Sequence, residues 1–200
     1  MKYIQEQSLV IIKPDGVQRS LIGEIIHRIE RVGLKLVALK FQIPNKDKVK
    51  SHYTIDPEWI IKAGTKACKA KQNAGEDISN LDPEKVGLNI LEKLQTYMTS
   101  GPVVIMVWQG AHAVDVIRKL VGGTEPRTSD VGTIRGDFVH DSYEISNIEN
   151  RSVRNVIHAS GTPEEAQKEI QNWFTKEELI LYRLVAEEIL YDVNIDGLEE

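Results

Sequence analysis

An α+β fold, with helices on one face of an antiparallel sheet, is predicted by three observations. Short apolar runs bounded by Gly and Pro alternate with stretches of 3.6-residue apolar period. They follow the order strand, helix, strand, interruption, strand, helix, strand, helix. The interruption, about residues 56–90, has strands on both its sides, so it reads as an insertion into one domain spanning 1–200 and not as a linker between two.

In chain order, Leu9 to Ile12 reads as a short buried strand stopped by Pro14 and Gly16. Ile22, Ile25, Ile26 and Ile29 fall at i, i+3, i+4 and i+7, a helix with Gly33 placed to end it. "LKLVALKFQI" (34–43) is rich in strand formers, and "PVVIMVW" (102–108) is a second buried strand. Val114, Ile117 and Val121 share a helix face between Gly110 and Gly122. "GDFVH" from Gly136 suggests the last core strand, before a long loop over Asp141 to Ser152. The final helix is the best specified: Thr162 as N-cap, Pro163 at the first position, Glu165 three residues after the cap, then Ala166, Ile170, Trp173 and Phe174 on one face. Glu169 lies at the border of that apolar stripe. The four strands and their helices fit a ferredoxin-like sandwich carrying a helical insertion.

Composition excludes several classes. A net charge of −5 opposes a general nucleic-acid binder, which needs an excess of cations on one surface, but leaves room for a small phosphate ligand. The single cysteine, Cys68, rules out an intrachain disulfide framework and suits a reducing cytoplasm. The four-residue apolar run near the N-terminus is too short for a signal-peptide core, and nothing approaches a membrane span. A chain of 200 residues buries roughly 70% of its extended surface and needs no staples.

Neither GxxxxGK[ST] nor GxGxxG occurs, so the common phosphate cradles are missing. The five histidines, His27, His52, His112, His140 and His158, are scattered, and Cys68 has no CxxC partner, which predicts no zinc site. What remains is a dispersed set beside glycines: Lys13 at a strand end, Arg118 and Thr124 around a Gly-Gly turn, and Arg135 between two glycines. Glycine lets backbone approach a ligand, and arginine binds phosphate through two parallel bonds. From the residues alone, His158 reads first as a partly buried ring satisfied by backbone, ahead of a nucleophile or a ligand.

Together, "IKPDGVQRSLIGEII", "HY" at 52–53, "SGPVVIMVWQG", "GTIRGDF" and "RNVIHASG" resemble the nucleoside diphosphate kinase family over nearly the whole chain outside the insertion. The resemblance implies γ-phosphoryl transfer from a nucleoside triphosphate to a nucleoside diphosphate through phosphohistidine, with Mg²⁺ held mainly by the nucleotide, in a homo-oligomer, tetramer or hexamer. It implies His158 as nucleophile, Glu169 and Ser160 orienting its ring, and Tyr53 near the reacting phosphate. Arg118, Thr124 and Arg135 would hold phosphates, and Lys13 and Asn155 the sugar hydroxyls.

Three departures accompany it. Ala159 and Gly161 stand where the family usually has Gly and Asp, which removes a carboxylate. The insertion falls where the family sets an aromatic ring against the base, and here the aligned segment offers Ile90, Leu91 and Leu94. Either these form an aliphatic clamp or Trp59 in the insertion stacks. The insertion itself, with Lys62, Lys66, Lys69 and Lys71, is either a flap over the site or a subunit contact. Third, the 141–152 loop is longer than usual. A catalytically silent nucleotide sensor, an RNA-binding domain and a phosphotransfer relay are the competing classes.

Overall fold

The structure, a computed structural model, describes residues 5–73, 75 and 77–191. Its centre is a four-stranded antiparallel sheet in the order β2-β3-β1-β4, built from β1 (Gln7–Ile12), β2 (Lys35–Gln42), β3 (Val103–Gln109) and β4 (Ile157–Ala159). Between β1 and β2 lie α1 (Pro14–Gln18) and α2 (Ile22–Glu30); between β2 and β3 lie α3 (Lys46–Tyr53), α4 (Trp59–Asn73) and α5 (Pro83–Met98). After β3 come α6 (Ala113–Val121), α7 (Ile134–Phe138) and α8 (Tyr143–Ile148); after β4 come α9 (Pro163–Trp173) and α10 (Ala186–Tyr191).

Helices cover both faces of the sheet, not one. Every residue of β3 and nearly every residue of β1 is buried, so neither strand has a side to give to water. One face packs Val10, Ile12, Met106 and Trp108 against Ile25 and Ile29 of α2 and Ile117 of α6. The other packs Leu9, Ile11, Ile105 and Val107 against Val49 of α3, Met98 of α5 and Ile170 and Trp173 of α9. Each such side chain contributes about 1.5–3 kcal/mol.

The strand expected from Gly136 is instead the short helix α7. Thr133 caps it by accepting from Gly136 N–H, and Gly136 itself lies so close to Asp130 that a Cβ there would sit 2.1 Å from a carbonyl oxygen. The fourth strand is Ile157–Ala159, and Ser142 caps a helix, α8, inside the stretch read as a loop.

The insertion is a helical pair, α4 against α5. Its crossing is closed by two glycines: a Cβ on Gly64 would fall 1.7 Å from Pro83 O, and one on Gly87 2.0 Å from Ile60 O. Cys68 is buried, and the lysine side of α4 is largely exposed, as expected from its sequence. Among the described residues, no helix is long and apolar enough to cross a membrane.

Candidate active site

β4 carries His158 opposite Ile11 of β1, and the turn after it leads into α9, which brings Glu169 back beneath the ring. The start of α9 is held as its sequence predicts, by Thr162 Oγ1 accepting from Glu165 N–H at 3.1 Å. The Glu165 carboxylate accepts from Gly161 N–H at 2.7 Å, and a Cβ on Gly161 would lie 2.4 Å from its Oε2. Glu165 therefore fills with a carboxylate the space beside residue 161 from which the sequence had removed one.

His158 Nε2 lies 2.8 Å from Glu169 Oε1, and Ser160 Oγ donates to Glu169 Oε2 at 2.5 Å. Leu9 N–H donates in turn to Ser160 Oγ at 3.1 Å, which ties the carboxylate to β1. Burial pushes the Glu169 carboxyl up, but His158, His52 and Ser160 outweigh it and hold it below its ordinary range. A carboxylate on Nε2 keeps the proton there and leaves the Nδ1 lone pair free. The ring keeps 18% exposure while Glu169 keeps 2%, so the His158 ring faces out and its support faces in.

His52 and His158, 106 positions apart and scattered by sequence spacing, are neighbours, with ring centroids 4.5 Å apart at 84°. With Glu169 they place three ligand-type atoms within 4.8 Å of one another, a grouping no spacing rule detects. Both Glu169 oxygens are already engaged by His158 and Ser160, and His52 Nδ1 accepts from Trp173 Nε1 at 3.2 Å. The cluster is thus an orienting network. Tyr53 stands edge-on to His52 at 4.9 Å and 6.5 Å from His158; its hydroxyl is buried without a partner, and burial pushes its pKa up, so it stays protonated.

The phosphate-suited residues form a second bonded group. Lys13 Nζ donates to Asn155 Oδ1 at 2.7 Å, and Asn155 Nδ2 donates to the Thr124 carbonyl at 3.0 Å. Burial, then the nearby Arg135 charge, lowers the Lys13 pKa to about 7. Arg135 is buried and spends four N–H bonds on the carbonyls of Asn155, Gly122, Gly123 and Ile157, at 3.3, 3.2, 2.9 and 2.7 Å. A guanidinium has five donors, so one is left to turn outward. Arg118, near the C-terminus of α6, and Thr124 are exposed, and Arg118 lies beside Gly161.

Ile90 and Leu94 are half-buried on α5. Trp59 lies not beside them but against Tyr53, ring centroids 5.4 Å apart. A surface cavity of about 490 Å³ opens between α1, α5 and the 150–154 segment, lined by Asp15, Gln18, Lys93, Tyr97 and Arg151, and contains none of the residues around His158.

Sequence reading missed two supports. Asp15 accepts from Tyr97 Oη at 2.5 Å and from Val156 N–H at 3.2 Å. Val156 has φ +54° and is fully buried, with Ile157 N–H donating to Asn155 O at 2.6 Å across it and its own carbonyl accepting from Lys13 N–H. This is a γ-turn on a β-branched residue, a costly conformation placed between Asn155 and His158. "PDG" after a strand was the available signal for Asp15, whereas nothing in the sequence marks Val156.

A family model described as nucleoside diphosphate kinase matches residues 6–58 and 57–179, two stretches that meet at the insertion. A nucleoside diphosphate kinase of Pyrobaculum aerophilum is 46% identical over 179 residues, 88% of this chain and 98% of that protein. A crystal structure of an NDP kinase from Pyrobaculum aerophilum superposes with TM-score 0.84 at 44% identity, covering 88% of this chain and 100% of that one. A transition-state mimic of the Borrelia burgdorferi enzyme with bound vanadate and ADP superposes with TM-score 0.75 at 35% identity, over 92% and 95%.

Proposed function

This chain belongs to the nucleoside diphosphate kinase family, and from that premise we propose how its own residues move the γ-phosphoryl group between nucleoside tri- and diphosphates. The carrying observation is the His158–Glu169–Ser160 chain, which commits Nε2 and leaves Nδ1 as the nucleophilic atom. Nδ1 attacks the γ-phosphorus in line as the bond to the β-phosphate oxygen breaks. The nucleoside diphosphate departs, and a second one accepts the group by the reverse step. As the ring gains positive character, Glu169 stabilises it. Charge on the equatorial oxygens is met by Arg118, by the outward donor of Arg135 and by the Tyr53 hydroxyl. Lys13 and Asn155, bonded to each other, offer a paired donor and acceptor for the sugar hydroxyls.

In this reading Mg²⁺ would be held mainly by the nucleotide phosphates. The donor set supports that: the residues suited to phosphate are cationic, and Glu169 has no oxygen to spare for a metal. When bound, the ion would supply charge neutralisation for the phosphates. Ile90 and Leu94 form the clamp for the base, since Trp59 is occupied on Tyr53; such a clamp reads no hydrogen-bond pattern and predicts little discrimination among bases. The insertion acts as a fixed element, supported by the closed glycine crossing and by Lys62, which is paired with Asp56 and Glu58.

The reading includes a homo-oligomer, tetramer or hexamer, in the cytoplasm. Among the described strands β2 pairs only with β3, and its end presents Leu39, Phe41 and the following Ile43, at 47%, 61% and 67% exposure. An exposed apolar edge strand is self-complementary in antiparallel pairing, and a second copy covers it. Incubation with γ-labelled ATP should give an acid-labile phosphoprotein that any nucleoside diphosphate discharges. No labelled protein, or label discharged only by water, sinks the mechanism.

A further inference from the structure

Two buried donors beside the nucleophile have no partner among the described residues: the Tyr53 hydroxyl and Nε2 of His52. Glu169, Ser160, Lys13 and Asn155 are all engaged, so these two stand out.

The tautomer of His52 follows from its neighbour. Indole N–H only donates, so Trp173 Nε1, 3.2 Å away, requires an unprotonated Nδ1 on His52. Burial above all, with the neighbouring His158, pushes the His52 pKa down to about 3, and the ring is neutral throughout the working range. A neutral imidazole without a proton on Nδ1 carries it on Nε2. That N–H is fully enclosed. Glu169 does not take it, because the carboxylate lies on the Nδ1 side at 3.7 Å. A buried donor without an acceptor is costly and normally rare. Here it belongs to a ring in edge contact with the nucleophile, 4.5 Å between centroids.

The same geometry orients the two rings alike. In each, one nitrogen lies on the Glu169 side: Nε2 of His158 at 2.8 Å and Nδ1 of His52 at 3.7 Å. The other nitrogens are Nδ1 of His158, the nucleophilic atom of the reading above, and Nε2 of His52, which is buried and has no partner among the described residues. We propose that His52 is a further catalytic residue, whose Nε2–H donates to a non-bridging oxygen of the phosphoryl group as it moves onto and off His158, alongside the Tyr53 hydroxyl. No proton changes hands: the N–P bond forms as the bond to the leaving phosphate oxygen breaks, and His52 keeps its hydrogen. A neutral donor suits this place, since it stabilises charge on the oxygens without binding the free nucleotide tightly. Trp173 becomes a positioning residue that selects the tautomer.

This rests on the phosphohistidine reading above, and the test separates the two. Three variants are compared with wild type: His52→Phe, which keeps a ring and removes both nitrogens; His52→Gln, which returns an amide N–H; and Trp173→Phe, which keeps His52 and releases its tautomer. Single-turnover phosphorylation by ATP, nucleotide Kd and the ³¹P resonance of the phosphoenzyme are measured. His52→Phe should phosphorylate roughly 10²-fold more slowly with Kd nearly unchanged and a displaced ³¹P resonance. His52→Gln should recover a large part of the rate, and Trp173→Phe should fall between. If His52→Phe phosphorylates at near the wild-type rate, or if His52→Gln and His52→Phe are equally slow with the ³¹P resonance unmoved, the donor role is overturned. Should His52→Phe not fold, the Gln and Trp173 variants decide by the same criteria. A wild-type protein that forms no phosphohistidine overturns the earlier reading instead.

Discussion

The His158 group and the group proposed for the phosphates and base are built on opposite plans. At the His158 end, Glu169, Ser160, His52 and Trp173 are buried and bonded to one another or to backbone. At the other end, proposed above for the phosphates and the base, Arg118 and Thr124 are exposed, and Ile90 and Leu94 are half-buried. The difference teaches where preorganisation is placed. Charge development on a ring requires dipoles already in position, because reorganising them during the reaction would raise the barrier. Binding a polyphosphate requires only accessible cations, which the ligand gathers as it arrives. Arg135 joins the two plans, since four of its five donors hold the backbone and one remains.

The largest expected effect breaks this contrast outright. His158→Ala should abolish phosphoenzyme and turnover together while nucleotide affinity stays within a few-fold, because the ring supplies a covalent bond and little ground-state affinity. Turnover near the wild-type rate would refute it. Arg118→Ala tests the open end: phosphohistidine formation should slow by roughly 10²- to 10³-fold with thermal stability unchanged, since the side chain is exposed. Arg135→Ala should lose comparable rate and also lower Tm, because it strands buried carbonyls. Equal stability in the two variants would contradict the division drawn between them.

A smaller effect is expected from proton uptake. Lys13 in the free protein has its pKa lowered to about 7 from 10.5, so between those values the folded chain holds fewer protons than the unfolded one. Stability therefore gains from Lys13 as pH rises through that window. Nucleotide phosphates oppose the shift by restoring the ammonium. Binding near pH 8 should take up a proton, seen as a calorimetric enthalpy that varies with buffer ionisation heat and ceases to vary in Lys13→Gln. The smallest effect on rate belongs to the insertion. Gly87→Ala places a Cβ about 2.0 Å from Ile60 O and should cost about 1–3 kcal/mol of stability, read as a lower Tm, with turnover within a few-fold. A large loss of turnover at unchanged Tm would make the insertion part of the chemistry.

Much of the His158 end was legible in the sequence because it is local. Thr162, Pro163 and Glu165 start α9, and helical period then sets Glu169 at the edge of the stripe. The buried strands of β1 and β3 were legible from unbroken apolar runs. Gly136 was misread because "GDFVH" has strand composition, while Thr133, outside that run, caps a helix through its side chain. His52 was missed because its meaning depends on Trp173 and His158, each more than 100 positions away. The glycine crossing was equally opaque, since a glycine in a helix looks like a weakness until its partner helix is known.

The γ-turn at Val156 also bears on how the protein opens. β4 has three residues and lies at the edge of the sheet, paired among the described strands only with β1. A β-branched residue at φ +54° immediately before it stores about 1–3 kcal/mol, which any opening of the segment gives back. Opening of β4 is therefore favoured over that of β1 and β3, which hold neighbours on both sides and carry no such strain. Amide hydrogens of Ile157 to Ala159 should exchange with solvent well before those of the central strands, through a partial opening that leaves the rest of the sheet intact. The nucleophile thus rides on the part of the sheet that breathes first, and a ligand spanning Asn155 and Arg118 would slow that exchange by bridging the segment to α6.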